Sequence, residues 1–238
     1  ASCLRGVLEA GYEVAAVYTQ PDRPKGRKGE LCASPVKELA LSEGIPVYQP
    51  ERIRRKAEVE TLRNLRPDLI LVAAYGQILS KAILDMAPCI NAHASLLPHY
   101  RGSSPIQRAI AAGDAVTGVT AMRMNEGVDT GNIIFTREVP ITDQDTGDSL
   151  EEKLAQAGAE ALVAVLKARE AGDDLVGTPQ DESQATHAPM LSREDGKMDW
   201  NLSARQMDQA VRAFTSWPSS YTLWKGKTLK VQVARVFR

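Results

Sequence analysis

The hydrophobic and polar positions in the first half of the chain follow two alternating periods. Leu4 and Leu8 recur at helical spacing, and Gly11 ends this helix. The apolar run EVAAVYT at 13–19 then predicts a buried strand. The alternation continues with a helix at 35–43, a strand near 46–48, a helix at 57–65, a strand at 69–76 and a helix near 80–86. Such a pattern indicates a parallel sheet with helical crossovers, and because it normally begins with a strand, we expect the natural chain to start earlier.

The second half of the chain repeats the alternation and then changes character. Its predicted elements are a strand from about 88 to 93, a helix at 104–112, strands at 117–124 and from 132, and a long amphipathic helix at 149–169. A polar stretch at 172–199 with several prolines and glycines is typical of an extended linker. After a helix at 203–214, two alternating apolar runs around Lys225 and Gly226 predict a β-hairpin, the opening of a small all-β domain.

Composition and charge narrow the class of protein. The 238 residues are 43% hydrophobic and 25% charged, which is enough to bury the core of a globular protein. The formal net charge of −1 gives no overall attraction to nucleic acid, so such a partner must be held by a local basic patch. Three widely spaced cysteines favour neither a disulfide framework nor a zinc site and indicate a reducing cytoplasm. No apolar run reaches the roughly 18 residues of a spanning helix, and we expect no membrane partner.

The stretch NAHASLL at 91–97 places polar side chains at the end of an apolar strand. In open α/β sheets ligands bind at the carboxyl ends of the strands, and the period of two puts Asn91 and His93 on one face. An amide and an imidazole together can stabilise a carbonyl oxygen as it becomes an oxyanion. Asp129, in the glycine-flanked loop NEGVDTG, is the candidate to set the charge of that imidazole.

Other interpretations of the same residues stay open at this point. On composition alone, His93 is more often a hydrogen-bonded structural histidine, and Asp129 an ordinary turn residue. Ser95 offers serine esterase chemistry, although the G-x-S-x-G motif is absent. A zinc site has less support, because His99 and His187 lack ligand-like spacing to His93. The G-x-G-x-x-G and Walker A motifs of nucleotide-binding proteins are also missing.

The region around these residues resembles the folate-dependent formyltransferase family, and the resemblance extends along essentially the whole chain. The shared motifs are SLLP at 95–98, YRG at 100–102, PIQ at 105–107 and DTG at 129–131. The resemblance implies an α/β fold with a Rossmann-like, mostly parallel sheet and flanking helices, followed by a linker and the start of a small OB-like β-barrel domain. The implied divisions are a catalytic domain at 1–187 without its first strand, a linker at 188–202 and an incomplete barrel domain at 203–238.

The resemblance also implies roles for individual residues. The residues that match the family's catalytic trio are Asn91, His93 and Asp129. The residues that match its tetrahydrofolate-binding turn are Ser95, Leu96, Leu97 and Pro98. The implied reaction transfers the formyl group of 10-formyltetrahydrofolate to an amine, with no metal ion. Asn91 and His93 would stabilise the oxyanion, while Asp129 would hold the imidazole and help to move the proton.

The basic segment QPDRPKGRKGE at 20–30 bears on the identity of the formyl acceptor. Its cations follow the carboxyl end of a predicted strand, where they can meet phosphates, and they are Arg23, Lys25, Arg27 and Lys28. By composition alone the segment is a solvated surface loop, but it resembles the family's tRNA-acceptor-stem loop, in which Arg27 matches an arginine. The resemblance therefore implies formylation of the α-amino group of methionyl-initiator tRNA for translation initiation. We expect the protein to be a cytoplasmic monomer.

Two alternatives to this function stay open. A formyltransferase for a small amino compound, or a hydrolase of formylfolate, would share the folate half but would not need the basic segment or the C-terminal part. An RNA-binding protein without catalysis would keep Arg27 and the barrel but would not need the trio. In the predicted hairpin, Lys225, Lys227 and Lys230 supply cations for phosphates, although lysines there also protect an exposed strand edge.

Overall fold

The computed structural model describes residues 1–25 and 30–237. The helices in these residues are α1 (Ser2–Glu9), α2 (Pro35–Ser42), α3 (Lys56–Asn64), α4 (Lys81–Leu84), α5 (Pro105–Ala112), α6 (Gly147–Glu170) and α7 (Ala204–Ala213). The strands are β1 (Val17–Tyr18), β2 (Arg23–Lys25), β3 (Glu30–Cys32), β4 (Val47–Tyr48), β5 (Ile70–Val72), β6 (Cys89–His93), β7 (Val116–Arg123), β8 (Ile133–Pro140), β9 (Ser220–Trp224) and β10 (Lys227–Val231). Their order confirms the predicted alternation of strands and helices.

Parallel strand pairs occur where the alternation predicts them. β1 pairs with β4 in parallel through Val17 and Val47, and β5 pairs with β6 in parallel through Val72 and Asn91. The sheet that contains β6 has the order β5-β6-β7-β8, so β6 has a neighbour on each side. Parallel pairs joined through helices confirm the α/β class.

The predicted helices are present, with small shifts at their ends. α2 begins after Ser34, whose hydroxyl accepts a hydrogen bond from Lys37 N, and Pro35 occupies the first turn. α7 begins with a capping box in which Ser203 and Gln206 satisfy each other's backbone N–H groups. Caps of this kind set the helix ends, whereas the helices themselves were predicted from the spacing of apolar residues.

Two strands are shorter than the sequence predicts. The strand predicted at 13–19 is reduced to β1, because its partner β4 begins after Pro46, whose nitrogen has no hydrogen to donate to a longer ladder. The strand predicted at 69–76 is reduced to β5. Ala74 has a φ of +48°, a left-handed conformation that interrupts an extended chain.

The basic segment is not a loop over its whole length. The prediction of a loop at 20–30 is wrong at both ends, where β2 and β3 pair antiparallel with Arg23 opposite Cys32. Pro24 obscured β2, because proline is rare inside strands and is tolerated at sheet edges such as this one. The stretch predicted as an extended linker also contains local structure, in the form of 3-10 helices at Glu182–Gln184 and Arg193–Gly196.

The chain divides into two compact units. Unit 1 comprises Ala1–His93, Ala121–Phe135 and Gly158–Pro179, and unit 2 comprises Ala94–Thr120, Thr136–Ala157 and Gln180–Arg238. Among the described residues, unit 1 contains an apolar cluster with Ile53, Leu62, Ile83 and Cys89, and another with Val17, Ala40 and Ile45. The predicted boundaries of a catalytic domain, linker and barrel stay predictions. No described helix is long and apolar enough to cross a membrane.

Candidate active site

The centre of the candidate site is the carboxyl end of β6. The first two residues of this strand are buried, and Asn91 and His93 follow, with the His93 side chain only 7% exposed. The neighbouring strand β5 ends at the level of Asn91, because its last residue, Val72, pairs with Asn91. Asn91 and His93 therefore share one face of β6, at the edge where ligands bind in open parallel sheets.

The loop after β7 carries Asp129. Asn125 organises this loop, since its side-chain oxygen accepts hydrogen bonds from Gly127 N at 3.0 Å and from Thr130 Oγ1 at 2.9 Å. Asp129 itself has a φ of +53°, a left-handed conformation that aspartate adopts more readily than most residues. The turn chemistry seen in the sequence thus fixes the direction of the Asp129 side chain.

This loop places Asp129 beside the imidazole of His93. Asp129 Oδ2 lies 3.6 Å from His93 Nδ1, and the two side chains are 15% and 7% exposed. The distance is that of an ion pair when the imidazole is protonated and is longer than an ordinary hydrogen bond. Catalytic contacts of this kind commonly tighten when substrate binds. Two members of the predicted trio are therefore adjacent, and the third, Asn91, lies on the same strand as His93.

The turn at 95–98 directly follows β6, and its side chains alternate in exposure. Ser95 is completely buried and Leu97 is 6% exposed, whereas the other two side chains are half-buried. The Ser95 hydroxyl donates a hydrogen bond to the carbonyl of His99 at 2.6 Å. This burial and this hydrogen bond argue against the esterase role considered for Ser95. A ligand at this turn would therefore contact its main chain and the two half-buried side chains, Leu96 and Pro98.

Thr120 in β7 fastens this turn. The fully buried Thr120 hydroxyl accepts a hydrogen bond from Leu97 N at 3.0 Å and donates one to the Ser95 carbonyl at 2.7 Å. The peptide bond between Leu97 and Pro98 is cis. Thr120 was not singled out from the sequence, where its only signal is a hydroxyl residue inside a mostly apolar strand, two positions after a glycine.

Two glutamines join the carboxyl ends of β1, β4 and β5. Gln20 Nε2 donates to the Tyr75 carbonyl at 2.7 Å, and Gln49 Nε2 donates to the Gln20 carbonyl at 3.0 Å. Gln49 also donates to the Asp22 carboxylate at 2.7 Å, which Lys37 Nζ approaches to 2.6 Å. The hydrogen bond from Lys37, and then that from Gln49, lower the pKa of Asp22. These contacts fix the point at which the basic segment begins.

The residues predicted to bind tRNA lie only partly within the described chain. Arg23 is exposed in β2, and Lys25 is the last residue of that strand. Arg27 and Lys28 lie outside the described residues. The hairpin formed by β9 and β10 exposes the three lysines considered as phosphate contacts, Lys225, Lys227 and Lys230.

The chemistry open to the site follows from its side-chain types. The Asn91 amide is able to donate hydrogen bonds, the His93 imidazole can donate or carry a proton, and the Asp129 carboxylate places negative charge beside the imidazole. Such a set can stabilise an oxyanion and move a proton. Within residues 1–25 and 30–237, no three His, Cys, Asp or Glu side chains are placed to hold a metal ion together.

Comparison with known proteins supplies a family. The model for formyl transferase matches residues 3–166, and the model for the formyl transferase C-terminal domain matches residues 190–238. The chain is 51% identical to a methionyl-tRNA formyltransferase of Agathobacter rectalis, over 98% of this chain and 76% of that protein. It is 49% identical to one of Marinobacter nauticus, over 93% of this chain and 72% of that protein. HypX of Aquifex aeolicus, solved with tetrahydrofolic acid, has 22% identity and a TM-score of 0.66, covering 79% of this chain and 33% of that chain.

The first family match contains β6, the turn at 95–98 and the Asp129 loop. It confirms the resemblance found in the sequence motifs and the prediction of an enzyme that transfers a formyl group. The HypX structure agrees with the Rossmann-like α/β fold inferred from the same motifs. The chain belongs to the formyl transferase family.

Proposed function

We propose that the protein transfers the formyl group of 10-formyltetrahydrofolate to the α-amino group of methionyl-initiator tRNA. The observation that carries this proposal is the 49% and 51% identity, over more than nine tenths of the chain, to two relatives named for that activity. The product, N-formylmethionyl-tRNA, serves translation initiation, which makes the cytoplasm the site of action.

In the proposed reaction, the neutral amine of the methionyl ester attacks the formyl carbon. As the new C–N bond forms, the carbonyl π electrons move to the oxygen, where Asn91 donates a hydrogen bond and His93 donates a second one once its imidazole has taken up the proton of the attacking amine. When the carbonyl forms again, the bond between the formyl carbon and the folate nitrogen N10 breaks. The proton lost by the attacking amine passes by way of His93 to that departing nitrogen.

Asp129 acts through His93 in this scheme. Its carboxylate faces Nδ1 at 3.6 Å and stabilises the positive charge that the imidazole gains when it takes up the proton. Both side chains are largely buried, so their attraction is less screened than that of an exposed pair. Asp129 also orients the ring, because its carboxylate makes its contact at one nitrogen, Nδ1.

The turn at 95–98 supports a folate derivative as the formyl donor. Its half-buried side chains, Leu96 and Pro98, are apolar groups of the kind that pack against a flat ring. HypX, which shares the fold, was solved with tetrahydrofolic acid. The formyl group of the proposed donor is carried on N10, which is the leaving nitrogen that the mechanism requires.

The basic segment supports tRNA as the carrier of the acceptor. We expect Arg27→Ala to raise the KM for methionyl-tRNA about tenfold and to reduce its salt dependence, because a cation–phosphate contact is lost. The KM for the formyl donor should not change. Arg54→Ala, which alters an exposed arginine outside the segment, is the matched control. An unchanged KM for methionyl-tRNA would remove Arg27 from the interface.

One assay distinguishes the proposed function from its alternatives. The protein is incubated with 10-formyltetrahydrofolate labelled in the formyl group and, in separate reactions, with methionyl-tRNA, with small free amines or with water alone. Label in N-formylmethionyl-tRNA, lost in His93→Ala, is the expected result. Label on a small amine or in formate, with none on tRNA, would instead indicate a related transferase or a hydrolase. Binding of tRNA without any transfer would indicate an RNA-binding protein.

A further inference from the structure

We propose that Thr120 is a positioning residue for the formyl donor, acting through the turn at 95–98. The proposal deepens the proposed function and rests on it, because it takes the turn to be where the donor binds. Thr120 touches no reacting atom in this scheme. Its task is to hold the main chain of the turn in a single shape before the donor arrives.

The single hydroxyl of Thr120 joins two main-chain groups of one turn. Thr120 Oγ1 accepts from Leu97 N at 3.0 Å and donates to the Ser95 carbonyl at 2.7 Å. Thr120 is completely buried, so water does not replace this hydroxyl if it is removed. A valine of the same shape would leave one buried N–H and one buried carbonyl without a partner.

Gly118, two positions earlier in β7, acts on the same turn from the same face of the strand. A side chain at this position would come within 2.6 Å of Leu96 Cδ2 and would also collide with the Arg137 carbonyl. The absence of a side chain therefore lets Leu96 pack directly on the backbone of β7. The turn therefore packs against β7 at two residues of one face. Gly118 leaves space for Leu96, and Thr120 makes the two hydrogen bonds.

The consequence for binding follows from the alternation within the turn. Ser95 and Leu97 point inward and are fixed, so the positions of Leu96 and Pro98 are set by the main chain that Thr120 holds. Without the hydroxyl, the turn would sample other conformations and would have to be ordered when the donor binds. Such ordering weakens affinity for the donor and leaves the later chemical step largely unchanged.

The test compares Thr120→Val with Thr120→Ser and Thr117→Val. Thr120→Ser keeps the hydroxyl, and Thr117→Val makes the same change at a buried threonine of β7 on the opposite face. We expect Thr120→Val to raise the KM for 10-formyltetrahydrofolate about tenfold, to leave the KM for methionyl-tRNA unchanged and to alter kcat by less than about threefold. Thr120→Ser should restore the donor KM to within about twofold of the wild type, and Thr117→Val should leave it unchanged. A donor KM unchanged in a folded Thr120→Val, or both KM values raised equally, would overturn the proposal.

Two further measurements test the role of Thr120 whether or not the proposed function is correct. The Kd for tetrahydrofolate, measured by calorimetry without any acceptor, should rise about tenfold in Thr120→Val whatever the acceptor proves to be. Exchange of the Leu97 amide hydrogen should be faster in Thr120→Val than in Thr117→Val, because only the first loses its acceptor. If Thr120→Val does not fold, Thr120→Ala removes the same hydroxyl and should show the same rise in Kd. An unchanged Kd and an unchanged exchange rate would overturn the proposal even if methionyl-tRNA is formylated.

Discussion

Two aspartates on loops that follow neighbouring strands show how differently one side chain can be used. Asp129 follows β7 and faces the ring nitrogen of His93 at 3.6 Å. Asp145 follows β8, is 3% exposed and accepts hydrogen bonds from several donors, which are Thr142 N, Thr142 Oγ1, Ser149 Oγ and Lys153 Nζ. Burial alone would raise the pKa of Asp145, but these hydrogen bonds outweigh it and lower the pKa to about 2. The carboxylate that is saturated with donors stabilises the fold, whereas we propose that the one facing the ionisable ring takes part in the reaction.

Asp129→Asn tests the chemical half of this comparison and should have the largest effect. Asparagine preserves the size of the side chain but removes its negative charge, so the protonated imidazole loses its partner during the reaction. We expect kcat for formylation to fall about 100-fold or more, as for other groups that stabilise a developing charge. Steady-state assays with saturating donor and methionyl-tRNA measure this change.

Asp143→Asn is the control for Asp129→Asn, because Asp143 is exposed and, like Asp129, lies in a polar loop that follows a strand. It should keep the kcat of the wild type. The free energy of unfolding of Asp129→Asn in urea should stay within about 1 kcal/mol of the wild type, because asparagine keeps the size of the side chain and also tolerates the left-handed conformation. A kcat within threefold of the wild type would exclude Asp129 from the mechanism.

Asp145→Asn tests the structural half. The substitution leaves Lys153 without its carboxylate and turns an amide N–H toward donors that need an acceptor. We expect the free energy of unfolding to fall by about 2 to 3 kcal/mol, because a buried, hydrogen-bonded charge is removed while its partners remain. Urea denaturation measures this loss, with Asp143→Asn again as the control. At a temperature where the variant is folded, kcat should be close to that of the wild type, and a large fall in kcat without loss of stability would reverse the assignment.

The distance along the chain between a residue and its partners explains which parts of the site could be predicted from the sequence. Asn91 and His93 were found because strand periodicity fixes their common face locally, and Asp129 because glycines and polar residues mark its turn. Thr120 gave no such signal, since its partners lie 23 and 25 residues away along the chain. The catalytic roles of Asn91, His93 and Asp129 stay predictions, because position alone does not establish a role.

The fold shows the same division between local and distant causes. Helix ends coincide with caps that the sequence displays, such as Ser203 before α7. Strand ends depended on partners, so Pro46, just before β4, limited the length of β1. The strand containing Pro24 was missed because only its antiparallel partner β3 makes it a strand. Features that depend on neighbouring residues in the chain could therefore be predicted, whereas features that depend on distant strand partners required the structure.

The pH dependence of the free energy of unfolding tests the role of the ionised Asp145 carboxylate. The pKa of Asp145 is about 2 in the folded protein against an ordinary value of 3.8, so its charge favours folding by about 2 kcal/mol above pH 4. This contribution is lost as the pH falls from about 4 through about 2, because the carboxyl becomes protonated in both states. The gap in unfolding free energy between the wild type and Asp145→Asn should therefore narrow over that range. Urea curves recorded at pH 5, 4, 3 and 2 measure the gap, and a gap that stays constant would contradict the role assigned to the ionised carboxylate.

Lys153→Met should have the smallest effect, because it removes only one of the donors to Asp145. Lys153 Nζ lies 2.8 Å from the carboxylate, but its side chain is 42% exposed and water screens the pair. We expect a loss of about 1 kcal/mol or less in the free energy of unfolding, and an unchanged kcat. Lys167→Met, an exposed lysine of the same helix, controls for the loss of a cation from α6. If Lys153→Met cost as much as Asp145→Asn, the ion pair alone would account for the stabilisation, and the hydroxyl and backbone donors would have no share in it.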